Sequence, residues 1–482
     1  MRLLLTSILS ALVLLTIIAQ WLKPAPPQDG KTPLVWVSDN NPERQRQITT
    51  FNQLHPDLRL NLDPNNTGLQ KVIVQSSSGV GPDLCDSYSA GQLQTLVDTG
   101  IAWDITEPAA AQGFAMADKV WPGAAAEISY NGRQYSYPCN VNVDILIYNK
   151  NIFDRFGVPY PRADMTWDEF VTVAKQVTRL EQGGRDAVYG VTGLSWLHFF
   201  AAERGEFFSP DGTRLLMQGT PLRAAFQRHH DLLHVHRVSP TSLDITTMSG
   251  QGGWGAGNIN LFADGRFAMV TIGKWVLIRL RGAHADQLKR LARWEANPAR
   301  NPAERPVVLR LGSVPLPCLP GRSPSYLVGS RSAVVNARST RRTDAVQFLK
   351  YLSGPEYSRL INEGVDALPG NPAHVNLGLR EGVPDLAELE MHSNTVAAIQ
   401  SGFGFRKSPF LLTSDVERLL KDAVNRMETS PTLPVTELLA DVERSLIGLM
   451  QRNLNRDPAL RARYRELTGT ADVAAAHREP AP

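Results

Sequence analysis

The stretch Leu34-Val35-Trp36-Val37-Ser38-Asp39-Asn40-Asn41 sets an apolar run against four polar residues, and Ile48, Phe51 and Leu54 then recur at helical spacing. This predicts a strand, a polar loop and a helix. Leu58 to Leu62 alternates apolar and polar residues as a second strand, and Gly81-Pro82-Asp83-Leu84 opens a third short one that ends in Asp86-Ser87-Tyr88. Strands alternating with helices predict a parallel or mixed α/β sheet. Ligands of such sheets gather beyond the carboxyl ends of strands, which singles out Ser38 to Asn41 and Asp86 to Tyr88. Further along, Thr166-Trp167-Asp168-Glu169 reads as a capping box, and Ser353-Gly354-Pro355-Glu356 repeats the pattern. Ala345, Phe348, Leu349 and Leu352 between them form an apolar helix stripe.

The chain has 482 residues, 43% of them hydrophobic, so it supports a large core and about three domains by length alone. Fifty basic groups against 47 acidic ones leave a net charge of +3, too little for a nucleic-acid footprint, so no nucleic-acid partner is expected. Leu3 to Leu22 is uncharged between Arg2 and Lys23 and reads as a signal peptide or an N-terminal membrane anchor over residues 1–22. The rest of the chain is then extracytoplasmic. Pro24, Pro26, Pro27 and Pro33 make residues 23–33 a linker, and the folded part is expected from Leu34. Asp457-Pro458 starts a last helix that stops near Gly469, and residues 470–482 read as a disordered tail. Cys85, Cys139 and Cys318 show no CxxC spacing, and at most one disulfide can form among them.

Several patterns imitate catalysis. His230 and His234 stand four apart as in a zinc-protease helix, but the neighbour is Asp231 where that chemistry needs a longer Glu, and His236 is too near in sequence to act as the usual distant ligand. Gly193-Leu194-Ser195-Trp196-Leu197 opens like a nucleophile elbow without its final Gly. Gly252 to Gly257 is Gly-rich without the lysine and hydroxyl ending of a phosphate loop. No catalytic residue, metal site or cofactor is therefore assigned. Aromatics beside Gly, Asn or Ser stand out instead: Tyr88, Trp196, Trp254, Trp275 and Tyr326. Aromatic faces stack on sugar C–H faces, and amide and carboxylate groups bond the hydroxyls.

Read in order, a set of segments resembles the family 1 extracellular solute-binding proteins, the sugar-capturing components of ABC importers. They are Leu34-Val35-Trp36, Gly81-Pro82-Asp83-Leu84, Tyr137-Pro138, Leu146 to Lys150, Met165 to Phe170, Phe262 to Met269 leading to Gly273-Lys274-Trp275, Pro315-Leu316-Pro317, Ala345 to Glu356 and Leu368-Pro369. The resemblance implies an α/β fold of two discontinuous, hinge-linked lobes with a ligand cleft between them, replacing the three-domain expectation. The lobes are expected at 34–145 plus 311–362 and at 146–310 plus 363–469. By position it implies ligand contacts from Asn40, Asn41, Ser87, Tyr88, Asn140, Asn142, Asp144, Trp196 and Trp275. Asn142 stands where the family's maltose-binding member has an acidic residue, and Ser87 where it has an aromatic, which argues against maltose. The implied protein is a monomer that binds a mono- or oligosaccharide without catalysis and delivers it to ABC permease subunits with a cytoplasmic ATPase. A glycerophosphodiester or polyamine ligand, a sensory role and, least of all, a secreted metal hydrolase are the alternatives.

Overall fold

Leu34, Trp36 and Val37 are buried in β1 (Thr32–Val37), which pairs in parallel with β2 (Leu58–Asp63) on one side and β3 (Leu84–Ser87) on the other. The computed structural model describes residues 29–66, 68–181, 187–248 and 257–478, together with residue 14. The expected signal peptide or anchor lies outside these residues apart from residue 14. No helix among the described residues is long and apolar enough to cross a membrane. The strand begins two residues before the expected start, so Thr32 and Pro33 belong to the sheet and not to a linker. Pro33 is tolerated because β3 pairs only with Trp36 and Val37, leaving β1 a single neighbour, β2, at that end.

Two sheets organise the chain. β4 (Ser136–Asn142) and β5 (Asp144–Asn149) are consecutive, and Val143 carries the chain from the first sheet to the second. β6 (Tyr189–Thr192), β7 (Phe267–Gly273) and β8 (Leu311–Val314) follow, and β9 (Gly329–Val335) returns to the first sheet. The strand orders are β2-β1-β3-β9-β4 and β8-β5-β7-β6. Both sheets are mixed, because β9 runs antiparallel to β3 and β4, and β7 antiparallel to β5. Residues 311–314, expected in the first lobe, pair with β5 in the second sheet, and Asp144 with Ile145 also lie there. The first two crossings thus fall at Val143 and between β8 and β9. A third runs from the helix Pro355–Glu363, packed on the helix Glu43–Leu54, to the helix Glu388–Gln400, packed on β5 and β8.

The C-terminal helices depart from the expected partition. Thr413–Thr429 packs on Ala90–Asp98 of the first lobe and on Val435–Arg456, which in turn packs on Thr220–His230 of the second lobe. They span both lobes. His230 and His234 serve this packing: their Nε2 atoms lie 2.8 and 3.1 Å from the carbonyls of Pro431 and Met427. Among the described residues no group of three potential metal ligands forms.

Local signals differ in how they play out. The Thr166 capping box forms with both reciprocal bonds, and Asp457 Oδ1 accepts the amides of Ala459 and Leu460. The second box does not form. Ser353 remains the last residue of the helix Arg342–Ser353 and donates its hydroxyl to Lys350 O, so Gly354 becomes the cap of the next helix. The expected disorder after Gly469 is also corrected. Val473 is fully buried within the helix Val473–Arg478, and His477 Nε2 accepts the Leu215 amide at 2.9 Å. A valine followed by three alanines offers an apolar face too short to declare itself in sequence, yet sufficient once a groove receives it. Removing residues 470–482 should lower stability by roughly 2 kcal/mol, about one buried aliphatic side chain. A urea midpoint equal to that of the full chain would show that this segment contributes nothing.

Candidate ligand cleft and its buried charge network

Between the lobes, a cavity of about 320 Å³ opens beyond the carboxyl ends of β1 and β3. The loop after β1 contributes Asp39 and Asn41, β3 leads into Tyr88, and β4 contributes Asn140 and Asn142. Trp275 faces them from the second lobe. It follows β7 through Gly273, where a Cβ would fall 2.1 Å from Asn142 Oδ1. The missing side chain makes room for Asn142, whose Oδ1 is buried without a hydrogen-bond partner among the described residues.

The wall of the cavity is a network of buried charges. Asp86 accepts from Trp36 Nε1 at 2.7 Å, from the Ser38 hydroxyl and from Arg331 Nη1 at 3.0 Å. Burial pulls the Asp86 carboxyl upward and Arg331 with Ser38 pulls against it. Three converging donors suit a carboxylate, not a carboxylic acid. Arg44 Nη1 donates to Asp366 at 2.6 Å and its Nη2 to Asp39 at 3.1 Å, while Asn140 Nδ2 donates to the other Asp366 oxygen at 3.0 Å. For Asp39, burial would raise the pKa, but Arg331 and Arg44 outweigh it and hold the group below the usual range. Two guanidinium groups thus meet three carboxylates.

Two further pockets continue the cleft. One of about 170 Å³ shares Asn142 and Gly329 and adds Asp144, His198 and Tyr326. The other, about 420 Å³ and mostly apolar, shares Tyr88 and Gly329 and is lined by Trp196, Phe207 and Phe405. In the first, His198 Nδ1 accepts the Ser195 amide at 3.1 Å, which leaves its proton on Nε2 to donate to Asp144 at 3.1 Å. Ser195 lies 3.2 Å from the same Nδ1 as the cap of the helix Trp196–Ala202, so the apparent nucleophile elbow is a helix start.

Of the residues singled out in sequence, the structure gathers Asn41, Tyr88, Asn140, Asn142 and Trp275 around one cavity. Asp144 and Tyr326 line the adjoining pocket, but the Tyr326 hydroxyl is committed to the Leu316 amide at 3.2 Å. Trp196 packs 5.0 Å from Phe226 while lining the apolar chamber. Asn40 is exposed and lines none of these three pockets. Nor does Ser87, which is buried with its hydroxyl on Ser89 O. Trp254 and residues 252–256 of the Gly-rich run lie outside the described residues. Sequence reading passed over Arg44, Arg331 and Asp366. Arg331, in the otherwise small and apolar strand Gly329–Val335, was the one legible signal. The three cysteines are free.

Two α/β lobes joined by three crossings, with a polar and aromatic cavity between them, define a two-lobed solute-binding protein. The chain belongs to the bacterial extracellular solute-binding protein family, whose model matches residues 46–374. Family membership makes it extracytoplasmic. An arabinooligosaccharide-binding protein of Halalkalibacterium halodurans is 28% identical over 194 residues, 39% of this chain and 38% of that protein. The match therefore spans well under half of the relative's length. Among solved structures, an ABC substrate-binding protein from Listeria monocytogenes in complex with cycloalternan superposes with a TM-score of 0.68 at 17% identity, covering 87% of this chain and 99% of the other. UgpB from Mycobacterium tuberculosis in complex with glycerophosphocholine gives 0.66 at 16% identity, covering 88% and 100%.

Asp86→Asn removes the carboxylate that Arg331 is buried against, and such one-sided losses cost about 3–5 kcal/mol. The expected outcome is a urea midpoint lowered accordingly, with part of the loss recovered in Asp86→Asn/Arg331→Met. A single variant as stable as the parent would remove the network from any structural role.

Proposed function

We propose that this protein captures a neutral carbohydrate, a mono- or oligosaccharide, by closing its lobes on it, and delivers it without catalysis to an ABC permease powered by a cytoplasmic ATPase. The cavity shared by Trp275 of one lobe and Tyr88, Asn140 and Asn142 of the other carries this reading. A ligand favours closure only by touching both lobes, and here an aromatic face opposes amide and hydroxyl groups. With its two side pockets the cleft is within the range of small-molecule sites, about 300–1,000 Å³, and extends beyond one sugar ring. The protein acts as a monomer, held at or released from the membrane according to the fate of its leader.

The charge inventory supports a neutral ligand over a glycerophosphodiester or a polyamine. In the Trp275 cavity Arg44 and Arg331 are each paired to carboxylates, so among the described residues lining it no cation stands unopposed for a phosphate. The three carboxylates are in turn bonded to the arginines, leaving little for a polyamine. The protein should therefore be stabilised thermally by arabino- or malto-oligosaccharides and not by glycerophosphocholine or spermidine, since a ligand of the folded state raises stability by mass action. Trp275→Ala should weaken sugar binding by about 10- to 100-fold, the worth of one buried aromatic face, with an unfolding midpoint shifted by less than about 1 kcal/mol. Unchanged calorimetric titration of that variant would refute the stacking role.

A further inference from the structure

On the other side of the third crossing lies a chamber of about 360 Å³ that none of the sugar-facing residues line. Arg46 and Glu363 reach it from the first lobe, Lys274, Arg281 and Glu388 from the second, and Arg380 from the crossing itself. Four cations face two lining carboxylates, with a third, Glu43, behind Arg46. Glu388 takes both Arg281 Nε and Nη2, at 2.7 and 2.6 Å, Arg46 donates to Glu43 at 2.8 Å, and Glu363 is divided between Arg46 at 3.3 Å and Arg380 at 3.2 Å. Lys274 is left over. Only 1% of it is exposed, and among the described residues no carboxylate lies within ion-pair distance of its ammonium. Its partner is His392 Nδ1 at 3.0 Å, and that ring is neutral and turns its Nε2 to Asn376 Oδ1. One ammonium proton is used and the charge is met only at a distance. Burial pushes this group down to about 8, Arg281 adding to the fall and Glu388 and Asp366 pulling the other way, as expected where no counter-ion is in contact.

We propose that the chamber is a second binding site, for a small dianionic oxyanion, phosphate either free or as a monoester on a small organic body, and not for a phosphodiester. The anion would accept from Lys274 on one lobe and from Arg46 and Arg380 at the mouth, whose side chains are 49% and 78% exposed and leave an entry path. It bridges the lobes on the hinge side, so its occupancy is linked to closure on the sugar. The linking segment is short. Val365 lines the chamber, the next residue, Asp366, belongs to the sugar-side network, and Val365 and Ala367 both hold positive φ values, 52° and 67°, that are costly for side chains of their kind. Lys274 likewise immediately precedes Trp275. Coupling between the two sites must be reciprocal, each ligand changing the other's affinity by the same factor.

The test uses the full chain without sugar, titrated with inorganic phosphate and separately with glycerol 3-phosphate at constant ionic strength, with chloride as control. Saturable stabilisation by either phosphate is expected. Tighter binding of glycerol 3-phosphate would assign the organic phosphate, and equal binding the free ion. Arg380→Gln, at an exposed position, and Lys274→Met should each weaken the response at least 10-fold, while Trp275→Ala should leave it intact even where sugar binding is lost. No saturable response to either phosphate, or one undiminished in Arg380→Gln and Lys274→Met, overturns the proposal and leaves the carbohydrate reading untouched.

Discussion

The contact between Arg331 and Asp86 is the constraint around which the rest of the first lobe is built. Arg331 is buried in β9, between β3 and β4, and Asp86 is the last residue but one of β3 beside it. An arginine without a counter-charge could not stay there, because desolvating a guanidinium costs several kcal/mol unless its hydrogen bonds are answered. The answer requires Trp36 on β1 and Ser38 just after it to orient Asp86. Arg44 and Asp39 follow on the next loop and helix, and Asp366 arrives from the third crossing. One buried cation thereby fixes the register of three strands, the entry angle of a helix and the position of a hinge segment.

The same network shapes the cleft chemically. By consuming its own charges it presents to the cavity a surface of strong hydrogen-bonding groups with little net charge, which suits hydroxyls better than phosphates or amines. Closing groups come from opposite lobes, so affinity and closure are two descriptions of one equilibrium. The hinge side differs. There the cations outnumber the carboxylates, and the surplus sits on a lysine that no carboxylate among the described residues pairs with. Neutral on one face of the third crossing and positive on the other, the protein separates two chemistries by the segment 365–367, Val365 facing the hinge-side chamber and Asp366 the sugar-side network.

Much of this was legible in local sequence. Apolar runs followed by polar loops located β1, β2 and β3, and the Thr166 and Asp457 caps formed as written. The polar groups beyond strand ends led to Asn41 and Tyr88, while Asn140 and Asn142, inside β4, came only from the family resemblance. Ser353 failed as a cap because the preceding helix kept it, a competition between adjacent elements that four residues cannot express. The segment after Gly469 failed as disorder because its order comes from packing on the helix Val435–Arg456 and from the Leu215 amide, the latter far away in the chain.

The sequence by itself determined which segments become strands and helices, and which loops carry the polar and aromatic groups of a cleft. Those properties depend on spacing within about ten residues. Only the tertiary structure decided that Arg331 pairs with Asp86 across 245 residues and Arg44 with Asp366 across 322. It also decided that β8 joins the second sheet and that Lys274 meets His392 and no carboxylate among the described residues. A charged residue reads as solvated until its surroundings are known, because the free energy that buries it comes from partners that only the folded chain brings within reach.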